Sequence, residues 1–312
     1  MAETILRQTI LMLLLMMCGA LCYKLRIITP SANRELSGFV LQVVNPVMIF
    51  MSYQTEYRAE LVQGLLICFA LSAAVLFIII AAVYILIPER ADRQTEVERF
   101  SAIYSNCGFM GIPLVNALFG MQGVFYLTAF ITVFNLVVWT HGIILISGEK
   151  DLHQVVKVFY SPTVIAIVLG IICFFARLTL PTLISDTLGY ISGLNTPLAM
   201  VVSGVTMAQT SFAGMLKKPG VYRVCAVRLL IVPAILAALL TLTPARLIDQ
   251  TVRVTVIAAA SAPPAAMCTL QCLRYGRDSL YASEIFTAGT ILSVFSLPAI
   301  IALTEYLTKI TS

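Results

Sequence analysis

Ser105-Asn106-Cys107-Gly108-Phe109-Met110-Gly111-Ile112-Pro113 interrupts one apolar run, and Ala260-Ser261-Ala262-Pro263-Pro264-Ala265 interrupts another. Proline lacks a backbone donor and its ring collides with the preceding helical turn, while glycine weakens a helix further. In hydrocarbon, unpaired backbone groups are tolerated only where they face a protein interior or a wet cavity. Pro113 and Pro264 lie 151 positions apart. The two breaks read as one feature that occurs twice.

The sequence around the breaks is strongly apolar. Of 312 residues, 60% are hydrophobic and 11% charged, and the mean hydropathy is +0.96. A water-soluble domain carries about 25% charged residues, so the expected solvent is a bilayer. The expected class is all-α integral membrane, with ten transmembrane helices: Thr4–Tyr23, Leu36–Tyr53, Leu61–Ile87, Val97–Phe119, Val124–Ser147, Tyr160–Arg177, Leu188–Gln209, Val221–Leu242, Thr251–Leu273 and Leu280–Leu307. Assigning Lys and Arg to alternate loops gives 14 on one side and 6 on the other. Basic loops stay cytoplasmic, which puts both termini outside. The net charge of +5 fits such loops rather than a nucleic-acid partner.

Sliding the chain by 151 positions lays Gly19 on Gly170, Cys22 on Cys173, Arg26 on Arg177, Pro46 on Pro197 and Ser52 on Ser203. Five further residues bring Gly120 onto Gly276. Residues 1–147 and 159–312 are expected to be two five-helix repeats joined by a short cytoplasmic linker, 148–158. Five is odd, so the second copy enters the membrane from the opposite face. Such a 5+5 inverted repeat is a frequent plan of secondary transporters. The apolar run from Arg7 to Cys22 has the look of a signal peptide, but its partner in the second half argues against removal.

The broken helices are expected to cross near the midplane and form a site. Each half-helix that begins at a break points its positive end at the crossing. Pro113 and Pro264 suit first-turn positions. No acidic residue lies in either break, which favours an anionic substrate. Candidate binding residues are Ser105, Asn106, Gly111 and Pro113 in one break and Ser261, Pro263 and Pro264 in the other. Asn45, before Pro46, and Asn195, near Pro197, form a second matched pair that serves either substrate or helix contact. Glu284, about a turn into the last run, is a candidate for proton coupling or a helix-start residue near the interface. Arg228 reads as snorkelling to the cytoplasmic face, with anion attraction as the alternative. Glu98 and Arg99 read as a surface pair or a gate, with surface preferred. The eight cysteines read as packing residues.

Asn106-Cys107-Gly108-Phe109-Met110-Gly111-Ile112-Pro113-Leu114 resembles the Asn-x-x-x-Met-Gly-Ile-Pro-Leu break of the auxin efflux carrier family, the plant PIN-type carriers and their bacterial relatives. Ser261-Ala262-Pro263-Pro264 is similar to the proline break of their ninth helix, although the doubled proline departs from the plant pattern. The resemblance covers essentially the whole chain. It implies a fold like that of sodium/proton antiporters and bile-acid carriers. Helices 1, 2, 6 and 7 would form a scaffold and a candidate homodimer interface; helices 3–5 and 8–10 would form a transport domain that moves as an elevator. It also implies organic-anion substrates, auxin in plants and malonate or other carboxylates in bacteria, with the family's binding asparagine at Asn106. The short Gly148–Val158 linker points to a bacterial carrier in a plasma (inner) membrane.

The expectation is a secondary active or facilitative carrier of a small organic anion. A sodium- or proton-coupled symporter or antiporter of the same fold, and a non-transporting membrane receptor, are the alternatives. No Gly-Lys dipeptide occurs, so there is no Walker A loop. No nucleophile or metal constellation is legible. Neither an enzyme nor a cofactor, a metal or a nucleic acid is expected.

Overall fold

A computed structural model describes residues 2–90, 94–148, 160–210, 212–243 and 247–311. Apart from Gly148, the expected linker 148–158 lies outside the described residues. The described residues are helical nearly throughout. α1 is Ala2–Lys24. α2 (Pro30–Phe39) starts on Thr29, whose hydroxyl accepts from the Ala32 amide at 3.2 Å. A wide π turn at Val40–Val44 carries it into α3 (Asn45–Ser52). α4 is Ala59–Leu86, α5 is Thr95–Ile103, α6 is Ile112–Val137 and α7 is Ile143–Ser147. The second half begins with α8 (Pro162–Phe175), α9 (Thr182–Gly193), α10 (Asn195–Ala208) and α11 (Phe212–Met215). It continues with α12 (Pro219–Ala226), α13 (Val232–Thr241), α14 (Gln250–Ser261), α15 (Met267–Arg274) and α16 (Ser279–Thr311).

Among the described residues, seven helical runs are long and apolar enough to cross a membrane: 3–24, 30–52, 59–86, 107–147, 182–208, 219–241 and 279–310. The runs expected as fourth, sixth and ninth spans contain shorter helices. α5 has 9 residues, α8 has 14 and α14 has 12. For α5 and α14 the cause is the breaks, which cut each run into pieces too short to span alone. The run 107–147 is divided by Gly120, whose φ of 59° and ψ of −151° are not helical and suit a residue without a Cβ. Arg26 and Arg177, 151 positions apart, both have positive φ, as do Gly120 and Gly276, 156 apart. These are the offsets at which the sequence matches itself.

α1 packs along α10, with Gly19 against the backbone of Val201 and Gly204 against the backbone of Met16. A Cβ at either glycine would overlap its neighbour. Such close approach matters in lipid, where helices associate through van der Waals contact rather than hydrophobic expulsion. α3 lies on α8 and α9, α4 lies on α6, and α14 contacts α6 and α4. α16 gathers α13 and α15 and also touches α1. Between α10 and the first break sits a methionine-rich cluster of Met12, Met16, Met200 and Met207 with Met110 and Phe286.

Glu98 and Arg99 are not a surface pair. They are buried, 2% and 7% exposed, because partners from three other segments converge on the start of α5. Glu98 accepts from Arg223 of α12, from Arg90 at 3.3 Å and from the Tyr281 hydroxyl of α16 at 2.8 Å. Arg99 Nε donates to the Ile87 carbonyl at 2.9 Å, and its guanidinium lies 4.3 Å from the centre of the Tyr84 ring.

Candidate functional site

α5 stops at Ile103, and Tyr104 turns extended at φ −97° and ψ 114°. α14 stops at Ser261, and Ala262 turns extended at ψ 150°. A residue that precedes proline is pushed out of the helical region, and the doubled proline applies that push to Ala262 and Pro263 in succession. The two extended segments lie antiparallel. Asn106 N–H donates to the Pro263 carbonyl at 2.8 Å, and Ala265 N–H donates to the Tyr104 carbonyl at 3.0 Å, which forms a bridge between Ser105 and Pro264. The breaks thus satisfy one another's backbone.

Pro113 is not at a free helix start. A π turn at Cys107–Gly111 runs directly into α6, so the half-helix begins at Cys107 and Pro113 lies within it, beside the wide turn that accommodates its missing donor. Pro264 does not occupy a first turn. It belongs to the bridge, α15 begins only at Met267, and the proline ring lies against Gly289 of α16. The second of two prolines continues the extended conformation, so the helix restarts later than its position suggests.

A cavity of about 310 Å³ opens at the bridge. Asn106, Cys107 and Gly108 reach it from the start of one half-helix, and Ala265, Ala266 and Met267 from the start of the other. Neither start carries a side-chain cap. No Asp, Glu, Lys, Arg or His is among the lining residues. An α-helix N-terminus carries about +0.5 of a unit charge, so the cavity has positive backbone ends and no competing carboxylate. The buried Asn106 Nδ2 has no partner among the described residues, and neither does Gln271 Oε1. Ile49, Phe109, Phe134 and Trp139 give the remaining walls an apolar character.

Of the expected site residues, Asn45, Ser105 and Asn106 line the cavity. Pro263 and Pro264 hold the bridge behind it. Asn195 supports Asn45 through a 2.6 Å hydrogen bond from Nδ2 to Oδ1. Gly111 faces the α14 backbone at Ala259, Ser261 is buried at the end of α14, and Pro113 follows the π turn as the second residue of α6. Glu284 lies apart from the cavity. It is 1% exposed and accepts from Lys218 Nζ at 2.6 Å. Asn135, Trp139 and Gln271 line the cavity without having been singled out. For Asn135 and Gln271 a signal existed, a polar amide inside an apolar run.

Arg228 also departs from its expected place. It is 0% exposed and does not snorkel. It sits on the π turn Val227–Ile231 between α12 and α13. Nε donates to the Ala262 carbonyl at 3.0 Å, Nη1 to Ala102 and Ile103 at 3.2 and 3.3 Å, and Nη2 to Ala260. Helix C-termini leave carbonyls unsatisfied and carry partial negative charge. Two such ends side by side hold the guanidinium more strongly than the interface does.

A family model described as membrane transport protein matches residues 4–155 and 151–301. A protein of Methanothermobacter thermautotrophicus described as an uncharacterized transporter is 28% identical over 310 residues, 95% of this chain and 96% of that one. With two broken helices meeting at an uncharged cavity and a family match over nearly its whole length, this chain belongs to the membrane transport protein family of auxin-efflux-carrier-like transporters.

Proposed function

We propose that the chain carries a small organic anion, a carboxylate, through the cavity at the crossing. The observation that carries this reading is the convergence of two uncapped half-helix starts on one cavity with no charged lining. Each start favours an anion by about 0.3–2 kcal/mol, depending on burial. The unpartnered Asn106 Nδ2 supplies a donor for the carboxylate. The apolar walls suit an auxin-like acid, with one charge on an apolar body, better than malonate with two.

The offsets of Arg26/Arg177 and Gly120/Gly276, which are those of the sequence repeat, support ten helices in two inverted halves. In that scheme α1, α2–α3, α8 and α9–α10 form the scaffold, and the remainder moves as an elevator. The methionine-rich contact between α1, α10 and the first break supports the division, since flexible, unbranched side chains repack at low cost when surfaces slide. With both termini outside, Ser37, Trp139 and Thr163 lie toward the cytoplasm, and the cavity faces inward.

The test is uptake of a labelled carboxylate by proteoliposomes. Saturable uptake that is blocked by excess unlabelled acid supports the carrier. Binding without flux would favour the receptor alternative. A second reading, proton coupling through Glu284, is favoured by its burial against Lys218. On that reading Glu284→Gln flattens the pH dependence of uptake; a profile like that of the unmodified protein removes Glu284 from coupling.

A further inference from the structure

Two half-helices start at the cavity, and the two that end at the crossing, α5 and α14, meet Arg228. One guanidinium gathers four carbonyl oxygens, those of Ala102, Ile103, Ala260 and Ala262. Carbonyls of half-helix ends and unwound segments are the ligands with which secondary transporters hold sodium. We propose that Arg228 is a tethered counter-cation that fills this role, so that anion binding at the crossing needs no dissolved sodium. The proposal rests on the anion-carrier reading.

Charge balance supports it. Each helix C-terminus carries about −0.5 of a unit charge, so two of them together balance about one guanidinium. No carboxylate lies within ion-pair range of Arg228 among the described residues. Two other buried or half-buried arginines, Arg99 of α5 and Arg223 of α12, do have carboxylate partners. A buried charge without a partner is costly, so the carbonyls are the partner of Arg228. Its side chain is closed off at 0% exposure, which leaves no vacancy for a second cation among those oxygens. Arginine suits the task because its charge is permanent and its donors form a rigid fork. With the negative ends neutralised, the positive starts at the cavity face the substrate without competition.

The experiment compares full-length wild type, Arg228→Ala and Arg228→Lys in proteoliposomes whose salt is sodium, potassium or choline. Wild-type uptake is expected to be equal in all three. Arg228→Ala should fall at least about tenfold in choline, in line with the loss of several charged hydrogen bonds, and recover with millimolar methylguanidinium. Arg228→Lys should be intermediate, since it keeps the charge with fewer donors. Melting of the purified proteins is followed in parallel, and methylguanidinium should raise the melting temperature of Arg228→Ala but not of wild type. Wild-type uptake that requires sodium overturns the proposal. So does Arg228→Ala with wild-type uptake in choline, or a folded, inactive Arg228→Ala that methylguanidinium neither stabilises nor rescues. If wild type takes up no carboxylate in any salt, the anion reading fails, and the melting comparison still decides whether the carbonyls form a cation site.

Discussion

Asn106→Ala is expected to cut uptake of the carried anion by about 10- to 100-fold, because a hydrogen bond to a charged group contributes about 1.5–3 kcal/mol. The side chain lines the cavity and is 7% exposed, and Nδ2 has no partner among the described residues. The backbone at this position is already committed, since Asn106 N–H donates to Pro263. Alanine keeps that bond and removes a buried donor with nothing to donate to. The melting temperature of the empty protein should therefore hold or rise while transport falls. A structural asparagine would show the reverse pattern. Uptake assays paired with melting curves separate the two, and near-normal uptake by a folded variant would remove Asn106 from the site.

A large loss of stability is expected from Glu98→Ala. Glu98 joins α5 to α12 and α16 through Arg223 and Tyr281, and it also holds Arg90. Removing one member of a buried ionic cluster costs about 3–5 kcal/mol. The two arginines keep 37% and 31% of their side chains exposed, so water takes up part of their charge and the lower end, about 3 kcal/mol, is expected. Glu98→Gln should fall between wild type and alanine, since it keeps an acceptor for Tyr281 without the charge. Melting in detergent is the readout, and a Glu98→Ala variant that melts like wild type would show that the cluster holds nothing together.

The breaks at Pro113 and Pro264 were legible because proline and glycine act on the local backbone, which needs no knowledge of neighbours. Asn45 and Asn195 were legible as a matched feature for a related reason, their place beside matched prolines, but their hydrogen bond to one another was not. What the sequence hid was long-range. The bridge between Ser105 and Pro264 joins segments far apart in the chain, and no periodicity announces it. Arg228 in an apolar run looks the same whether it reaches the interface or two carbonyl clusters, because hydropathy does not record which groups lie opposite. Glu98 looked superficial for the same reason, its partners being contributed by segments far along the chain. The doubled proline moved the start of α15 to Met267, a shift that single-proline reasoning at Pro264 missed. Asn135 and Gln271 were visible as polar residues in apolar runs, but nothing local aimed them at a common space.

The central claim is that the cavity at the crossing holds an anion, and ligand-dependent melting of the purified protein tests it most directly. A ligand at 100 times its Kd stabilises the folded state by about 2.7 kcal/mol. Carboxylic acids are screened beside their neutral amides, which match them in shape and lack the charge. The predicted result is a dose-dependent rise in melting temperature with at least one acid, none with its amide, and a smaller rise in Asn106→Ala. An amide that stabilises as well as its acid, or stabilisation unchanged in Asn106→Ala, would contradict the account.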